Sequence, residues 1–540
     1  MASFDVLIKP WIPVVDLSGG PPKEMGILEA LERAHELREI SDPSPLIRFG
    51  LYRILIAFIM DAFEIRRLEH IESLLNAGRF DPATLKRYTE EICDPSRFDL
   101  FDKDRPFLQA ERNEELDGTE REMIARLFQH LPCGSFNTHF HHQRDDSHAV
   151  TPAVCARALA ALPPFMTAGG AGYSPSINGA PPLYVLIAAD SLFETLAMNC
   201  CAVPLPLDAD GEKVSWRSLM PVHPKKQIRQ FSLLHSYTWP CRRLRLLPSE
   251  GGICSYTGRS DDILVREMVY GPGLKAAGDW VDPQVAYKLT DKGRRKIEPD
   301  ENREIWRDTG PLMLLREKDY AGEGGRVRFE QPIVVQQFRQ LCQERVLPRN
   351  AELQLEVFGL VSDNMKLSEW RWERLSLPLS LILRSDAGQR VQQAIENAEL
   401  VGFIIGKDIR KAFPREGKNT RNPFGLQISE CKRVYWRELR TTFDSFLARL
   451  ARMNENDLTG LDALNEYWQR DVRRVAESAF ERVVDTLGSD ALALTRHVRA
   501  RDSLFSDLNK ALPLTRAKKA TKGKPKSKSP LRQKEVSTNV

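Results

Sequence analysis

Between about residue 385 and residue 514 the chain repeats one pattern, apolar side chains at helical spacing, and that pattern leaves the region few folds other than packed helices. Tyr435, Leu439, Phe443, Phe446, Leu447 and Leu450 recur about one turn apart, and so do Leu464, Trp468, Val472, Val475, Ala479 and Val483. Gly488-Ser489-Asp490 reads as a helix stop followed by an N-cap, and a further stripe runs through Leu494, Val498, Phe505 and Leu508. With a helix around 388–411, four long amphipathic segments follow one another, which predicts a four-helix bundle over 384–514.

The preceding residues mix two periodicities. "FDVLIKPWIPVV" (4–15) reads as a strand that meets Pro10 and Pro13, while "GILEALERAHEL" (26–37) places Ile27, Leu28, Leu31, Ala34 and Leu37 on one helical stripe. Further strand candidates are "PLYVLIAA", "RRLRLLP", "ILVREMVY" and "LQLEVFGLV", separated by turn clusters at irregular intervals. No repeat and no regular alternation of strand and helix is visible, so the fold class read from the sequence is α+β. A chain of 540 residues has room for two to four domains at roughly 150 residues each. The expected division is a large mixed α+β domain over 1–383, the bundle over 384–514 and a disordered basic tail over 515–540.

Several function classes fall away on composition. The N-terminus lacks a basic segment followed by a small-residue cleavage site, and the longest apolar run, "ILIAFIM" at 54–60, stops at Asp61. A membrane span needs ~20 apolar residues, so none is expected. Nine cysteines, thinly spread and without a C-x-x-C pair, argue against a disulfide framework or a structural zinc site. The expected location is the cytoplasm, with reduced thiols. The net charge of +4 conceals an asymmetry, because residues from Arg516 onward carry +8 and leave −4 on the rest. Any contact of the body with nucleic acid must therefore be a local patch.

The glycine stretch "MTAGGAGYSPSINGAPPLYVL" (166–186) invites a phosphate-loop reading but lacks G-x-x-x-x-G-K-[ST]. "GFIIGKD" at 402–408 is one residue short of that spacing and has Asp408 where a hydroxyl is required. What remains is a backbone bare of Cβ atoms, able to approach a flat partner closely or to make a tight turn. A second cluster, "FNTHFHHQRDDSHAV" (136–150), lies in a region holding five of the ten histidines. His139, His141, His142, Asp145, Asp146 and His148 follow no H-E-x-x-H spacing and define no coordination geometry, so a polar or nucleic-acid-contacting loop is expected there rather than a metal site. There is no G-x-S-x-G, and Cys254 has no partner at hydrolase spacing. No catalytic residue, metal site or cofactor is expected. Basic residues alternate with aromatics in "SYTWPCRRLRLL" and "SEWRWERL"; the first is either a cationic sheet face near Trp239 or an exposed edge.

Taken in order, several of these segments resemble one family. "FDVLIKPWIPVVDLSGG" with "MGILEALERAHELREI", "PFLQ" at 106–109, "INGAPPLYVLIAADSLFETLAMNC" at 177–200, "YTWPCRRLRLLP" at 237–248 and "VYGPGLKAAGDWVDPQVAY" at 269–287 are similar to the large subunit of the type I-E CRISPR surveillance complex Cascade, the CasA family. The resemblance spans nearly the whole chain except the basic tail, and that family also ends in a four-helix bundle. It implies a non-catalytic subunit that recognises the protospacer-adjacent motif (PAM) of double-stranded target DNA through the minor groove, helps open the duplex for R-loop formation and helps recruit a helicase-nuclease in antiviral defence. The implied partners are that DNA, the guide RNA-containing backbone, small and guide-end-capping subunits, and the helicase-nuclease.

Residue by residue, Gly169, Gly170 and Gly172 match the family's PAM loop, Asn137 in "SFNTHF" matches a nucleic-acid-contacting loop, and Lys275, the only lysine in "GPGLKAAGDW", matches a lysine that reaches the minor groove. The family's duplex wedge carries a glutamine at a hairpin tip. The matching "FGLVSDNMKLSEW" presents Asn364, Met365 and Lys366 instead. The readings left standing beside this one are a metal-dependent nuclease built on the His/Asp cluster at 139–148 and a scaffold for partner proteins or RNA.

Overall fold

Ser44 precedes a helix with proline at its first turn, Pro45–Ala62, and every residue of that helix is buried. A helix apolar on all sides belongs in the middle of a core. The run "ILIAFIM" therefore marks the centre of the fold, and the three charged groups the helix carries, Arg48, Arg53 and Asp61, are each paired inside it. The structure, a computed structural model, describes residues 2–112, 114–118, 121–131, 138–139, 142–143, 147–168, 172–202, 213–218, 222, 227–228, 232–277, 280–301, 303–314, 328–347, 352–363, 366–414, 424–486 and 490–513.

Two long antiparallel hairpins follow, the first lying against helix Pro152–Phe165 and the second against the core helix. In the first, Arg242–Ile253 pairs with Ser260–Pro272 from Ile253↔Ser260 to Arg242↔Pro272, and Arg121–Met123 adds an edge strand. In the second, Glu352–Asp363 pairs with Lys366–Pro378, and Tyr184–Ala188 joins on the other side of Glu352–Asp363. A three-stranded sheet at the N-terminus has the order Lys23–Met25, Ile12–Asp16, Leu37–Ile40. Helix Pro152–Phe165 packs against the core helix so closely that a Cβ on Gly50 would stand 2.3 Å from the Ala160 carbonyl oxygen. The combination is α+β, as the irregular alternation of periods predicts.

By internal contacts the chain divides into Met1–Glu396 with Asp444–Asp457, and Asn397–Phe443 with the residues from Leu458 onward. The C-terminal helices are Ala387–Ala412, Gly425–Arg452, Leu458–Val484 and Ala491–Ala511. Within the second unit their stripes meet: Tyr435 donates to the Ala398 carbonyl at 2.8 Å, and Phe443 lies edge-on to Trp468 at 5.9 Å. Asp490 caps the last helix, accepting from the backbone N–H groups of Leu492 and Ala493. Gly488, Ser489 and the tail from 514 onward lie outside the described residues.

Two local expectations are corrected. The N-terminal strand is confined to Ile12–Asp16; residues 6–10 form turns, because Pro10 has no N–H to give a ladder. The helix expected over 26–37 is α-helical only at Ile27–Glu32, tightens to a 3₁₀ turn at Ala34–Glu36, and Leu37–Ile40 becomes a strand paired with Ile12–Asp16. Leu37 and Ile40 find their burial in that sheet rather than along the helix stripe, so tertiary pairing overrides helical spacing.

Candidate nucleic-acid interface

Helix Pro152–Phe165 delivers the glycine stretch. It ends at Met166, whose carbonyl accepts the Ser176 backbone N–H at 2.7 Å. That bond closes residues 167–175 into a loop with its two feet side by side. Arg242, the first residue of the first long hairpin, straps both feet. Its guanidinium donates to the Thr167 carbonyl at 2.7 Å and to the Ser174 carbonyl, and to the Tyr270 hydroxyl at 2.8 Å. Tyr173, on the returning foot, stacks on Tyr270 with centroids 5.8 Å apart, and the guanidinium carbons of Arg126 and Arg242 each stand 5.3 Å from its ring centre. Burial pushes the Tyr270 phenol up from its ordinary value against the opposing pull of both arginines, so it stays a neutral hydroxyl.

Gly172 is exposed and has φ +93°, a conformation strained for any residue with a Cβ. Gly169 and Gly170 lie outside the described residues. Downstream, Asn178 donates to the Tyr184 hydroxyl at 3.0 Å and to Asp282 at 2.9 Å, and Arg53 of the core helix donates to the same carboxylate at 2.8 Å. Burial opposes the charge on Arg53, but Asp282 beside it, together with Tyr237 and Tyr184, outweighs that and holds the guanidinium above its ordinary range. Tyr184 in turn donates to the Pro164 carbonyl at 2.9 Å, which returns the network to the helix that launched the loop.

The second hairpin is tied to the same core helix. Arg48 donates to Glu356 at 2.9 Å and to Glu39 at 2.7 Å; Arg374 bonds both carboxylates, and Trp372 donates to Glu356 at 3.2 Å. Arg48 and Arg53, little more than a turn apart, thus anchor the hairpin and the loop to one rigid element. At the far end the last paired residues are Asp363↔Lys366, so two residues form the tip. Those two, Asn364 and Met365, lie outside the described residues, and of Lys366 only the backbone is described.

Asn137 lies outside them as well, but Thr138–His139 pairs with His142–Gln143 and lies beside Lys366–Pro378. His130 stands edge-on to Trp370 of that strand at 5.5 Å. The histidine-rich segment and the second hairpin are therefore neighbours. Lys275 is exposed in Lys275–Ala276, three residues beyond Pro272, which pairs with Arg242. The fold thus places Lys275 and the feet of the glycine loop at the same end of the first hairpin. Among the described residues, no group of three or more His, Cys, Asp or Glu side chains is placed to hold a metal ion. His141, Asp145 and Asp146 lie outside that description, as do the side chains of His139 and His142.

Neither reading of "RRLRLL" holds. Arg242 and Arg243 are both 4% exposed, and Trp239 is buried. Arg243 donates to the Pro272 carbonyl at 3.1 Å, so these guanidiniums face main-chain carbonyls rather than solvent. Arg126, Tyr173 and Tyr270 escaped the sequence reading because single aromatic and basic residues are spread throughout the chain; only the doubled arginine marked the strap.

The chain matches the family model of CRISPR-associated protein Cse1 over residues 5–479. It is 29% identical to CRISPR-associated protein CasA/Cse1 of Thermus thermophilus over 535 residues, covering 93% of this chain and 95% of that protein. The crystal structure of Thermus thermophilus CasA superposes with a TM-score of 0.72 at 25% identity, over 94% of this chain and 100% of that one. Thermobifida fusca Cse1 shares the fold, with a TM-score of 0.72 at 20% identity over 95% of this chain and 98% of that one. A chain of a CRISPR RNA-guided surveillance complex shares it with a TM-score of 0.70 at 20% identity, over 94% and 100%. With most of its length matched to one family model, this chain belongs to the CRISPR-associated Cse1 (CasA) family.

Proposed function

We propose that this chain is the non-catalytic, PAM-reading subunit of an RNA-guided DNA surveillance complex, acting in the cytoplasm. Gly169, Gly170 and Gly172 bring bare backbone to the minor-groove edges of the PAM, and Lys275 and Asn137 add polar contacts. The observation that carries the reading is the strapped loop: Arg242 holds both feet of the glycine segment rigidly, and exposed Lys275 leaves the same hairpin end. The minor groove presents mainly acceptors, with the guanine amine as its one donor, so backbone N–H groups and an ammonium suit it.

The hairpin tip, with Asn364, Met365 and Lys366, enters the duplex beside the PAM. Met365 serves there as an apolar wedge and Asn364 as a shorter substitute for glutamine. Parting stacked pairs costs roughly 1.4 kcal/mol per step before guide pairing compensates, so prying one or two steps lowers the barrier to strand exchange by a few kcal/mol. Residues 1–383 carry this work, the bundle over 384–514 and its surroundings meet the guide-bearing subunits and the helicase-nuclease, and the tail over 515–540 is a basic extension. Neither metal nor cofactor enters the account.

The test is binding of the guide-loaded complex to PAM-bearing and PAM-scrambled duplexes. Lys275→Ala is expected to lower affinity for the PAM duplex about tenfold and to spare the scrambled duplex; equal losses on both would remove Lys275 from PAM reading. A cleavage assay with Mn²⁺ or Mg²⁺ separates the nuclease reading. Cutting that His141→Ala/His142→Ala abolishes would overturn the non-catalytic assignment.

A further inference from the structure

Beside Lys275, and apart from the glycine loop, the first unit holds a small open cavity of about 50 Å³. At ~10–15 Å³ per water, that is room for about three to five waters or one tetrahedral oxyanion. Ser215 and His235 line it, and among the described residues the Ser215 hydroxyl and His235 Nδ1 find no hydrogen-bond partner. His235 is only 2% exposed, and burial holds its imidazole down to about 4, so it is neutral at neutral pH. Buried polar atoms without partners are costly unless something else meets them.

Two guanidiniums face the same space. Arg97 donates to the Ser215 and Ser218 carbonyls at 2.7 and 3.3 Å, and Arg105 is paired with Glu111 at 3.2 Å, leaving one positive charge unneutralised among the lining residues. Burial first, and then repulsion from Arg105, push Arg97 below its ordinary range; Asp94, Asp102 and Glu111 act on it in the opposite direction and more weakly. Leu108, also in the lining, has φ +53°, local strain of the kind that clusters at binding sites.

We propose that this cavity is a phosphate subsite, in which Arg97, Arg105, Ser215 and His235 hold one backbone phosphate of the duplex that Lys275 reads. The inference rests on the PAM-reading assignment above. It also has its own geometric ground. Leu274 and Pro240 line the cavity and are joined by the Leu274 N–H donating to the Pro240 carbonyl at 3.0 Å. Lys275 directly follows Leu274, and Arg242, which straps the glycine loop, is two residues past Pro240. A phosphate held here fixes the register of the backbone while its neighbours read base edges, the usual division of labour in DNA recognition.

The test uses the guide-loaded complex, with affinity measured from about 50 to 200 mM salt on PAM-bearing and scrambled duplexes. Arg105→Gln is expected to weaken both about tenfold, leave their ratio unchanged and reduce the salt slope by about one. Arg97→Lys, which keeps the charge, is expected to retain the slope and lose only part of the affinity. One neutral methylphosphonate in the backbone should reproduce the loss in the unsubstituted complex and add nothing to Arg105→Gln.

Unchanged affinity and slope in Arg105→Gln, with an unchanged unfolding temperature, overturn the proposal. Saturable binding of inorganic phosphate to the isolated chain, with DNA affinity indifferent to Arg105→Gln, assigns the cavity to free phosphate and overturns it equally. An effect of Arg105→Gln without any effect of Gly170→Arg keeps the subsite and refutes the glycine-loop reading; the opposite pattern refutes the subsite alone.

Discussion

Arg242 holds the frame of the glycine segment, because its guanidinium bonds the carbonyls of Thr167 and Ser174 on either side of it. Replacing it with methionine keeps much of the volume but strands the Thr167 and Ser174 carbonyls and the Tyr270 hydroxyl. Arg242→Met is expected to cost about 2–4 kcal/mol, seen in urea unfolding, and to make the 166–176 loop the first site of protease cleavage; unaltered stability and cleavage would show that the strap is dispensable. Asp42 offers a pH test. Its side chain is buried, the Ser44 N–H donates to it at 2.9 Å and Arg157 stands 3.7 Å away, yet burial outweighs both and raises its carboxyl from 3.8 to about 6. A folded pKa above the unfolded one favours the protonated folded state. The associated stability is present in full below about pH 4 and is lost as pH rises through about 6, a swing of up to about 3 kcal/mol. Asp42→Asn keeps the Ser44 bond and removes the titration, so its stability relative to the native chain should rise between pH 4 and pH 7; a pH-independent difference contradicts this. Neither Asp42 nor Arg242 could be assigned such a role from the sequence, since both depend on partners distant along the chain, Arg157 for the first and Thr167 for the second.

At the scale of elements, long and strongly periodic segments were legible and short ones were not. The bundle helices, the strands "RRLRLLP", "ILVREMVY" and "LQLEVFGLV", and the Asp490 cap stand where their patterns place them, but the last stripe is corrected: Leu494 and Val498 are 61% and 49% exposed, and Ala493, Ala500, Leu504 and Leu508 form the buried face. The core helix was only an apolar run: buried on every side, it has no polar face to give it a period. Helix Ala387–Ala412 meets Gly425–Arg452 so closely that a Cβ on Gly402 would stand 2.6 Å from the Trp436 ring. Gly402→Ala should therefore destabilise the bundle by about 1–3 kcal/mol despite alanine's helix preference of about 1 kcal/mol; a gain in unfolding temperature would show that the indole yields. In the second hairpin the Asp363↔Lys366 pair closes a two-residue tip. Replacing Asn364-Met365 by Asn-Gly suits such a tip and should leave stability unchanged while slowing R-loop formation several-fold, on the order of 1 kcal/mol of lost wedge action. An undiminished rate would exclude the tip from duplex opening.

For the whole molecule, the order of short matches along the chain carried the family, and the fold supports it over nearly the full length. What the sequence could not convey is how distant segments share one frame. The glycine loop, the second hairpin and Lys275 come from three parts of the chain. Arg53 and Arg48 of the core helix tie the first two together, and Arg242 ties the loop to the hairpin that ends beside Lys275. A rigid frame of this kind suits the proposed role, in which one binding event reads a motif and strains the adjacent base pairs together. The most direct test is the affinity of the guide-loaded complex carrying Gly170→Arg for PAM-bearing and PAM-scrambled duplexes. The expected result is a loss of at least about tenfold on the PAM duplex, down to the scrambled level, with an unchanged unfolding temperature, even though the substitution adds a positive charge. Retained affinity and retained discrimination would contradict the claim that bare backbone at this loop meets the bases.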